Sequence, residues 1–213
     1  FSFHAVKNLT TGEGGAVALN IEGFDNEAIY KELNVRSLHG QSKDALSKNQ
    51  IGGWRYDVKM LGAKCNMTDI QAAMGLVELN RYRENLNRRE AIFDKYSEAF
   101  KDDERFIIPE YKTEVKKSAF HLYLLRLAGH KGSQRDEVIQ EISNEQVGVN
   151  VHYIPLPGLT YFKGLGYRSA DFPVAFDSSE REITLPVYYD LTDEQVDKVI
   201  GTVKKVLDAV PAT

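Results

Sequence analysis

The chain has 213 residues, which is enough for one large domain or two modest ones that each bury a core. Its hydrophobic content of 42% and charged content of 27% are those of an ordinary globular protein. The 27 lysines and arginines stand against 31 acidic residues, and the formal net charge is −4. Because no concentrated basic block is present, we do not expect nucleic acid as the main partner.

The sequence has a single cysteine, Cys65, so it cannot form an intramolecular disulfide. This predicts a reducing, cytoplasmic location. It shows no signal peptide and no apolar run long enough to span a membrane, so we expect no membrane partner. The five histidines never recur at metal-ligand spacing, and no metal site is expected.

The first predicted element is a buried strand over residues 14–20, an apolar run behind a glycine pair. Asp25 is expected to cap a helix that runs to about Val35. Residues 36–53 carry Gly, Ser, Asn and Gln with little periodicity, which predicts a long loop.

A long amphipathic helix follows, with Asn66 or Thr68 as its candidate N-cap. Apolar residues recur at helical spacing along the whole segment, and we interpret them as core packing. They are Ile70, Ala73, Met74, Val77, Leu79, Tyr82, Leu86, Ile92, Phe93 and Tyr96.

The chain after about residue 117 has a different pattern, in which strand-like and helical runs alternate. Strands are predicted over residues 118–128, 147–156 and 181–189. Helices are predicted after Ser133, as a cap, and after Thr192, which forms capping-box spacing with Gln195. This order of elements predicts a small α/β sandwich from about Ser118 to the end.

The stretch "SFHAVKNLTTGEGG", residues 2–15, is the candidate site. Its lysine precedes the glycines, so it does not form a nucleoside-triphosphate loop. Lys7 is either a surface lysine beside turn glycines or an amine that bonds covalently to an aldehyde cofactor. The second role needs a fixed, partly desolvated position with short polar side chains nearby, such as Ser2 and Thr10. Spacing alone leaves both roles open.

Three segments in order carry a resemblance to a known family. They are "SFHAVKNLTTGEGGAV", "LGAKCNMTDIQAAMGLVEL" and the set "VNVHYIPLP", "YFKGLGY" and "REITLPVYYDLT". Together they cover almost the whole chain and resemble the DegT-type (DegT/DnrJ/EryC/StrS) nucleotide-sugar aminotransferases. That family belongs to the fold-type-I enzymes that use pyridoxal 5′-phosphate (PLP).

The resemblance implies an α/β fold in which a portion of the aspartate-aminotransferase-like large domain precedes the small α/β sandwich. It assigns residues 1–84 to the PLP-binding large domain and residues 85–213 to the small domain with a long connecting helix. It also implies that an N-terminal part of the family's chain is missing here. That part supplies the aspartate that pairs with the pyridine nitrogen, so we expect this polypeptide alone to be incomplete as an enzyme.

Three cofactor-binding residues are implied by the resemblance. Lys7 corresponds to the catalytic lysine that bonds covalently to PLP, and Ser2 to the serine that contacts its phosphate. Asn66 corresponds to an asparagine that reaches the cofactor of a neighbouring subunit, which implies a homodimer with shared active sites. A turn hydroxyl for Ser2 and a helix cap for Asn66 are the simpler structural roles.

Three further residues are candidates for contact with the substrate. His4 corresponds to a histidine near the cofactor, where we expect it to orient the lysine segment rather than transfer a proton. His152 and Tyr153 match the His-Tyr of the small-domain motif and are expected at the substrate entrance. Alternating residues of a half-buried strand are the simpler interpretation of this pair.

The function implied is the transfer of an amino group, with glutamate as donor, to a keto group of a nucleotide-linked sugar. Such a reaction belongs to the synthesis of precursors for cell-surface polysaccharides or glycoconjugates. A non-catalytic binding or regulatory fragment stays open as an alternative. A PLP-dependent sugar dehydratase is disfavoured, because that branch of the family has histidine where Lys7 stands.

Overall fold

The structure of the chain, a computed structural model, describes residues 1–42 and 54–212. The chain divides into two units, Phe1–Tyr82 and Arg83–Thr213. The assignment of residues 1–84 and 85–213 to the two domains of the family stays a prediction. The described residues mix helices with a sheet, as the sequence predicted.

The first unit contains helix α1, Asn26–Ser37. The Asp25 carboxylate accepts hydrogen bonds from the backbone N–H groups of Glu27 and Ala28, so the predicted cap is confirmed. Of the predicted loop over residues 36–53, residues 43–53 lie outside the described residues. Residues 36 and 37 end α1. Leu38 and Gln41 then form isolated antiparallel bridges with residues 64 and 58.

The strand predicted over residues 14–20 is wrong. Among the described residues, the backbone of this run forms strand-like hydrogen bonds to another segment only next to one isolated bridge, between Ser2 and Gly15. Val17 is 72% exposed. A strand needs a neighbouring strand to accept its hydrogen bonds, and none of the described residues provides one beyond that bridge.

Helix α2, Asp69–Phe100, is a single helix of 32 residues. The interpretation of its apolar face as core is right for Ile92, Phe93 and Tyr96, which are buried. It is wrong for the first half, where Ile70 is 77% exposed and Met74, Val77 and Leu79 are exposed as well. Both halves show the same helical periodicity, because this pattern indicates which face of the helix is apolar and not whether other residues cover that face.

The second unit is built on a three-stranded antiparallel sheet. Its strands are β1 (Phe106–Ile107), β2 (Tyr123–Leu127) and β3 (Glu182–Leu185), in the order β1-β2-β3. In β2, alternate residues from Tyr123 onward are fully buried, whereas Leu124 and Arg126 between them are half-buried. The sheet therefore has a core face and an opposite face that is only partly covered.

Four helices and two short 3-10 turns complete this unit. The helices are α3 (Ser133–Asn144), α4 (Thr160–Gly164), α5 (Pro173–Arg181) and α6 (Asp193–Ala209). The 3-10 turns are Leu156–Gly158 and Ser169–Asp171.

Two details of the sequence prediction are wrong in this unit and one is confirmed. Thr192 and Gln195 form the predicted capping box of α6. Ser133 is not the cap of α3, because Gly132 holds that position and no side chain caps the helix. The strand predicted over residues 147–156 is absent, and only Asn150 bridges to Thr184 there. A single bridge does not make the rest of this segment a strand, because its other residues form no ladder of hydrogen bonds with β3.

An aromatic cluster lies at the centre of the core. The Phe93 ring contacts Tyr111, Phe120 and Tyr123 edge-to-face, with centroid distances of 5.4, 5.3 and 5.0 Å. Aromatic pairs in this geometry contribute about 0.5–1.5 kcal/mol beyond the burial of their surface. The cluster packs the C-terminal part of α2 against β2 and the segment before it.

Glu90 of α2 forms ion pairs with two lysines of a neighbouring segment, Lys112 and Lys117. Its carboxylate oxygens lie 2.5 Å from Lys112 Nζ and 2.7 Å from Lys117 Nζ. Hydrogen bonds from Lys112 and then Lys117 lower the pKa of Glu90 below its usual value. Since Lys112 and Lys117 face each other in an antiparallel bridge, the carboxylate also separates two like charges.

We predict that Glu90→Gln lowers the free energy of unfolding of the intact protein by about 1 kcal/mol near pH 7. A lowered native pKa stabilises the fold above the unfolded-state pKa and loses that effect as the pH falls through the native value. The difference between the variant and the wild type in urea unfolding should therefore be smaller in the acid range, below the unfolded-state pKa of a glutamate, than at pH 7. Glu98→Gln, which removes an exposed pair with Lys101, is the matched control and should change little. A constant difference at both pH values would contradict the charge argument.

Candidate active site

The loop that carries Lys7 is closed by backbone hydrogen bonds between two short arms, residues 1–4 before it and residues 11–16 after it. The Phe3 N–H donates to the Gly14 carbonyl at 2.9 Å, and the Thr11 N–H donates to the Phe3 carbonyl at 2.9 Å. Between the arms, the Lys7 N–H donates to the His4 carbonyl at 2.9 Å and closes a turn. Lys7 is half-buried at this turn, so the backbone that carries its amine is fixed.

Thr11 joins this loop to the first turns of α2. It is 3% exposed, and its hydroxyl donates to the Glu13 carbonyl at 2.8 Å. The same carbonyl accepts a hydrogen bond from Gln71 Nε2 at 2.9 Å. A Cβ at Gly75 would lie 2.9 Å from Thr11 Cγ2, so the loop and the helix are in direct contact. The position of the Lys7 loop is therefore tied to α2.

The glycine pair of the opening stretch allows this close approach. Gly14 has a φ of +153°, and a Cβ there would lie 2.5 Å from Thr11 Oγ1 and 3.0 Å from Met67 Cε. A Cβ at Gly15 would lie 2.7 Å from the Phe1 carbonyl oxygen. The glycines thus bring the two arms together and admit the residues before α2, where the sequence had suggested a turn into a strand.

Thr68, and not Asn66, caps α2. The Thr68 hydroxyl accepts from the Gln71 N–H at 3.3 Å, while Gln71 Oε1 accepts from the Thr68 N–H at 3.0 Å. These are the reciprocal bonds of a capping box. Asn66 is exposed, and its amide nitrogen lies 3.4 Å from the Met67 carbonyl oxygen. Helix capping therefore does not occupy the Asn66 side chain.

The backbone before Asn66 is also fixed. The Cys65 N–H donates to the Ser37 carbonyl at 2.8 Å, and the Ala63 N–H donates to the Arg36 carbonyl at 2.8 Å. These bonds attach the segment to the end of α1. Asn66 thus lies between one segment held by α1 and another held by the start of α2.

Ser2 and His4 lie on the arm that precedes Lys7. Ser2 Oγ accepts from the His4 N–H at 3.4 Å and keeps its own hydroxyl hydrogen for another acceptor. His4 Nδ1 accepts from the Val6 N–H at 3.5 Å, and His4 Nε2 lies 3.6 Å from Glu13 Oε1. The contacts of His4 therefore link both arms of the loop.

The second unit holds the other two candidates, His152 and Tyr153. Both line a cavity of about 450 Å³ on the partly covered face of the sheet. His152 Nδ1 lies 2.8 Å from Thr184 Oγ1, and the His152 N–H donates to Glu182 Oε2 at 2.9 Å. Tyr153 is 66% exposed, and its carbonyl accepts from Ser179 Oγ at 3.1 Å. His152 and Tyr153 therefore lie in the second unit, whereas Lys7 lies in the first.

Several residues of these two groups were not identified from the sequence. Thr11, Gln71 and Gly75 join the lysine loop to α2, and the Thr68–Gln71 spacing of a capping box could have indicated Gln71. Glu182 and Thr184 form part of the surroundings of His152. Their separation by two residues in a strand places them on one face, which the sequence pattern contained.

Neither a metal cluster nor a membrane span is found in the parts of the chain that the structure describes. Residues 1–42 and 54–212 contain no group of three or more histidine, cysteine or acidic side chains placed to hold a metal ion. Within those same ranges, none of the helices has the length and apolar character needed to cross a bilayer.

The chain belongs to the DegT/DnrJ/EryC1/StrS aminotransferase family, whose model matches residues 1–204. This family membership agrees with the resemblance carried by the three sequence segments. The fold agrees with it as well, because solved sugar aminotransferases superimpose on this chain over nearly all of its length.

Particular relatives can be named. The chain is 39% identical over 211 residues to SpsC of Bacillus subtilis, a spore coat polysaccharide biosynthesis protein, with 97% of this chain and 53% of the relative covered. It is 29% identical to a UDP-4-amino-4,6-dideoxy-N-acetyl-beta-L-altrosamine transaminase of Campylobacter jejuni, with 99% and 52% covered. The chain therefore spans about half the length of the curated relatives it matches.

A solved structure is similar throughout the chain. It is Spr1654 of Streptococcus pneumoniae, assigned as a sugar aminotransferase, in its PMP-form. The TM-score is 0.92 at 47% identity, and the match covers 99% of this chain and 53% of that one. The same protein in its PLP-form matches with a TM-score of 0.90 at 44% identity, covering 100% of this chain and 52% of that one.

The contact between Gly75 and Thr11 gives a test of the loop's attachment. We predict that Gly75→Ala displaces Thr11, because the new methyl group would lie 2.9 Å from Thr11 Cγ2. The amide hydrogens of Phe3 and Thr11, which close the loop, should then exchange faster with deuterium in the intact protein.

The matched control is Gly201→Ala in α6, where an added Cβ meets no atom within 4 Å. It should leave exchange in the Lys7 loop unchanged and stabilise its helix by about 0.5–1 kcal/mol. Equal exchange in the loop of both variants and the wild type would show that the Gly75 contact does not hold the loop.

Proposed function

We propose that the intact protein is a PLP-dependent aminotransferase that moves an amino group from glutamate to the keto group of a nucleotide-linked sugar. We place this reaction in the cytoplasm, in the synthesis of precursors for cell-surface polysaccharides or glycoconjugates. The observation that carries the proposal is the fixed, half-buried position of Lys7 on a loop attached to α2. An amine held in this way suits covalent attachment to an aldehyde.

The residues present fit the proposed cofactor. Lys7 offers an amine for the aldehyde group, and the Ser2 hydroxyl keeps its hydrogen for an acceptor such as a phosphate oxygen. Asn66 offers an amide that helix capping does not use. When bound, PLP supplies the electrophilic carbon for amine exchange and a conjugated ring that delocalises the electron pair released at the substrate carbon.

Lys7 has two roles in this proposal. Its Nζ first holds the cofactor covalently. Once the amino donor has displaced it, the same Nζ accepts a proton from the donor's α carbon and later returns a proton to the sugar carbon that gains nitrogen. Both roles require the amine to stay near one point, which the closed loop and its attachment through Thr11 support.

A homodimer with shared active sites is the second part of the proposal. Asn66 is exposed, its backbone is held at the start of α2, and its amide is available for a group on another chain. The nearby apolar face of α2, formed by Ile70, Met74 and Val77, is exposed among the described residues. A second subunit or a further segment of the intact chain would remove this surface from water.

The substrate class rests on the relatives and on the cavity of the second unit. The name of the Campylobacter jejuni relative, UDP-4-amino-4,6-dideoxy-N-acetyl-beta-L-altrosamine transaminase, supports a UDP-linked keto-sugar as the substrate here. We infer that His152 and Tyr153, in the cavity wall, contact that substrate. The presence of Lys7 argues against the dehydratase branch, and a non-catalytic binding or regulatory role is the second candidate.

We predict that Lys7→Ala lowers donor-dependent turnover of a keto-sugar by the intact protein about 1,000-fold or more, because both roles of Nζ are lost. Turnover is measured with glutamate and a panel of UDP- and dTDP-linked keto-sugars. Lys31→Ala is the control, since Lys31 forms an exposed i,i+4 pair with Glu27 on α1, and it should keep full activity.

Borohydride labelling separates a catalytic protein from a non-catalytic one. In the wild type with PLP, reduction should leave the label on the peptide that contains Lys7 and remove the absorbance band of the bound cofactor. Wild-type activity in Lys7→Ala would refute the assignment of Lys7. The absence of both band and label in the wild type would favour the non-catalytic candidate.

Mixing variants tests whether Asn66 acts on the partner subunit. We predict that Asn66→Ala weakens cofactor binding about tenfold to a hundredfold, as expected for a lost hydrogen bond to a charged group. At limiting PLP, co-expression of Asn66→Ala with Lys7→Ala should restore up to about one quarter of wild-type activity. The restored site would combine Lys7 from one chain with Asn66 from the other.

The double variant on one chain gives the opposite result. When it is mixed with wild-type chains at limiting PLP, heterodimers should show no more activity than Asn66→Ala if Asn66 acts on the partner, because the one site with Lys7 then lacks Asn66. If Asn66 served its own chain, these heterodimers would keep one working site, and the mixture of single variants would restore nothing. That pair of results would contradict shared active sites.

A further inference from the structure

Arg126 lies on the partly covered face of the sheet. It belongs to β2, the central strand, where it is opposite Ile107 of β1 and Glu182 of β3. Because side chains alternate along a strand, Arg126 points away from the aromatic core. Its side chain is half-buried and lines the cavity of about 450 Å³ on this face. A cationic residue is therefore part of the cavity wall, and the pairing on both sides of β2 fixes its backbone.

The guanidinium of Arg126 has no protein partner within residues 1–42 and 54–212, since it forms neither a hydrogen bond nor an ion pair there. Other arginines of the same unit behave differently, because Arg105, Arg135 and Arg181 each pair with an aspartate. A guanidinium carries several N–H donors, and its partial removal from water without an acceptor costs free energy. An acceptor supplied by a ligand would offset that cost.

Glu182 does not neutralise Arg126, although the two residues are cross-strand neighbours. Its Oε2 lies 2.9 Å from the His152 backbone nitrogen, and its Oε1 lies 2.5 Å from Thr184 Oγ1. Both oxygens thus contact groups other than the guanidinium. Burial raises the pKa of Glu182, opposed in part by these hydrogen bonds and by the charge of Arg135. Burial therefore favours the neutral carboxyl group, which does not repel an anion.

A second unused donor lies in the wall of the same cavity. Ser178 of α5, a helix that packs against β2, is half-buried and lines the cavity. In the part of the chain that the structure describes, the Ser178 hydroxyl forms no hydrogen bond. The hydroxyl of Ser179, by contrast, donates to the Tyr153 carbonyl at 3.1 Å. A guanidinium and a hydroxyl are donors that bind the oxygens of carboxylates and phosphates.

The remaining wall of the cavity is largely apolar, with side chains of Pro109, Leu124, Pro155 and Ala175. Sites for small molecules typically combine such apolar walls with a few polar groups, in volumes of about 300–1,000 Å³. The cavity has the size and the composition of such a site. Its unused donors indicate a ligand that carries acceptor oxygens.

We propose that Arg126 and Ser178 form an oxyanion subsite, in which the guanidinium binds a carboxylate or a phosphate group of a small molecule. Arg126 supplies positive charge and parallel N–H groups for paired hydrogen bonds, and Ser178 adds its hydroxyl. The subsite follows from the second unit alone. Its use by a reactant rests on the proposed function, whose reactants offer both kinds of group, the carboxylates of glutamate and the diphosphate of a UDP-linked sugar.

Calorimetric titration of the intact protein tests the subsite without turnover. One probe is glutarate, which has the carboxylates of glutamate but no amino group to transfer. The other is UDP, which has the diphosphate but no keto-sugar. The wild type should bind at least one probe, and Arg126→Gln should weaken that binding about tenfold to a hundredfold, as expected for lost hydrogen bonds to a charged group. The probe affected identifies the reactant that carries the oxyanion.

Three further variants accompany this test. Arg126→Lys keeps the charge but not the planar pair of donors, so its affinity should lie between those of the wild type and Arg126→Gln. Ser178→Ala removes the second donor and should weaken binding about twofold to tenfold. Arg168→Gln is the matched control, because it removes the same charge from an exposed pair with Asp171 and should bind as the wild type does.

Defined results would overturn the subsite. They are a failure of the wild type to bind either probe, wild-type affinity for both probes in a folded Arg126→Gln variant, or equal weakening by Arg168→Gln. If Arg126→Gln does not fold, Arg126→Lys and Ser178→Ala decide the question. Wild-type affinity for both probes in these two variants would then overturn the subsite.

Steady-state kinetics test whether a reactant uses the subsite. Arg126→Gln should raise KM about tenfold to a hundredfold for each substrate whose probe it affects, because the lost contacts bind that substrate. The KM of a substrate whose probe binds normally should stay unchanged. A change in that KM would show a structural effect of the substitution and would overturn the assignment to the reactant.

Binding and turnover separate this inference from the proposed function. If Arg126→Gln weakens probe binding but the wild type aminates no keto-sugar, the proposed function fails and the oxyanion subsite stands. If the wild type aminates a keto-sugar and Arg126→Gln keeps wild-type affinity for both probes, the subsite fails and the proposed function stands.

Discussion

The loop that carries Lys7 can lie against α2 only because Gly14 and Gly75 have no side chains. A Cβ at either position would approach Thr11 within 2.9 Å or less. Thr11 fills the space between them, with its hydroxyl on the Glu13 carbonyl and its methyl group towards the helix. The proposed roles of Lys7 all require an amine whose backbone does not move, and these contacts provide that restraint.

In the second unit, the positions of Glu182, Thr184 and His152 depend on the packing of the sheet. This sheet is packed on one face by the aromatic cluster around Phe93, which fixes the positions of β2 and β3. The alternation of side chains then places Glu182 and Thr184 on the other face, where His152 meets them. The packed core behind the sheet thus fixes the two strands that carry these polar side chains.

Much of the local structure could be predicted from the sequence, since it depends on residues close together in the chain. The caps at Asp25 and Thr192 are examples, because each side chain bonds to backbone two or three residues away. The strand predicted over residues 14–20 was wrong because a strand depends on a neighbour that local pattern does not reveal. The apolar first half of α2 was misassigned to the core for the same reason, as Ile70 shows.

The sequence by itself determined the family, the identity of Lys7 as the candidate catalytic amine and the α/β character of the chain. Ordered motifs are enough for these conclusions, because they record residue types and spacing. Only the tertiary structure decided that Thr11 and Gly75 hold the lysine loop, and that the Thr184 hydroxyl lies between Glu182 and the ring of His152. These depend on atoms that approach within hydrogen-bond or contact distance from separate parts of the chain, and spacing along a sequence does not contain that information.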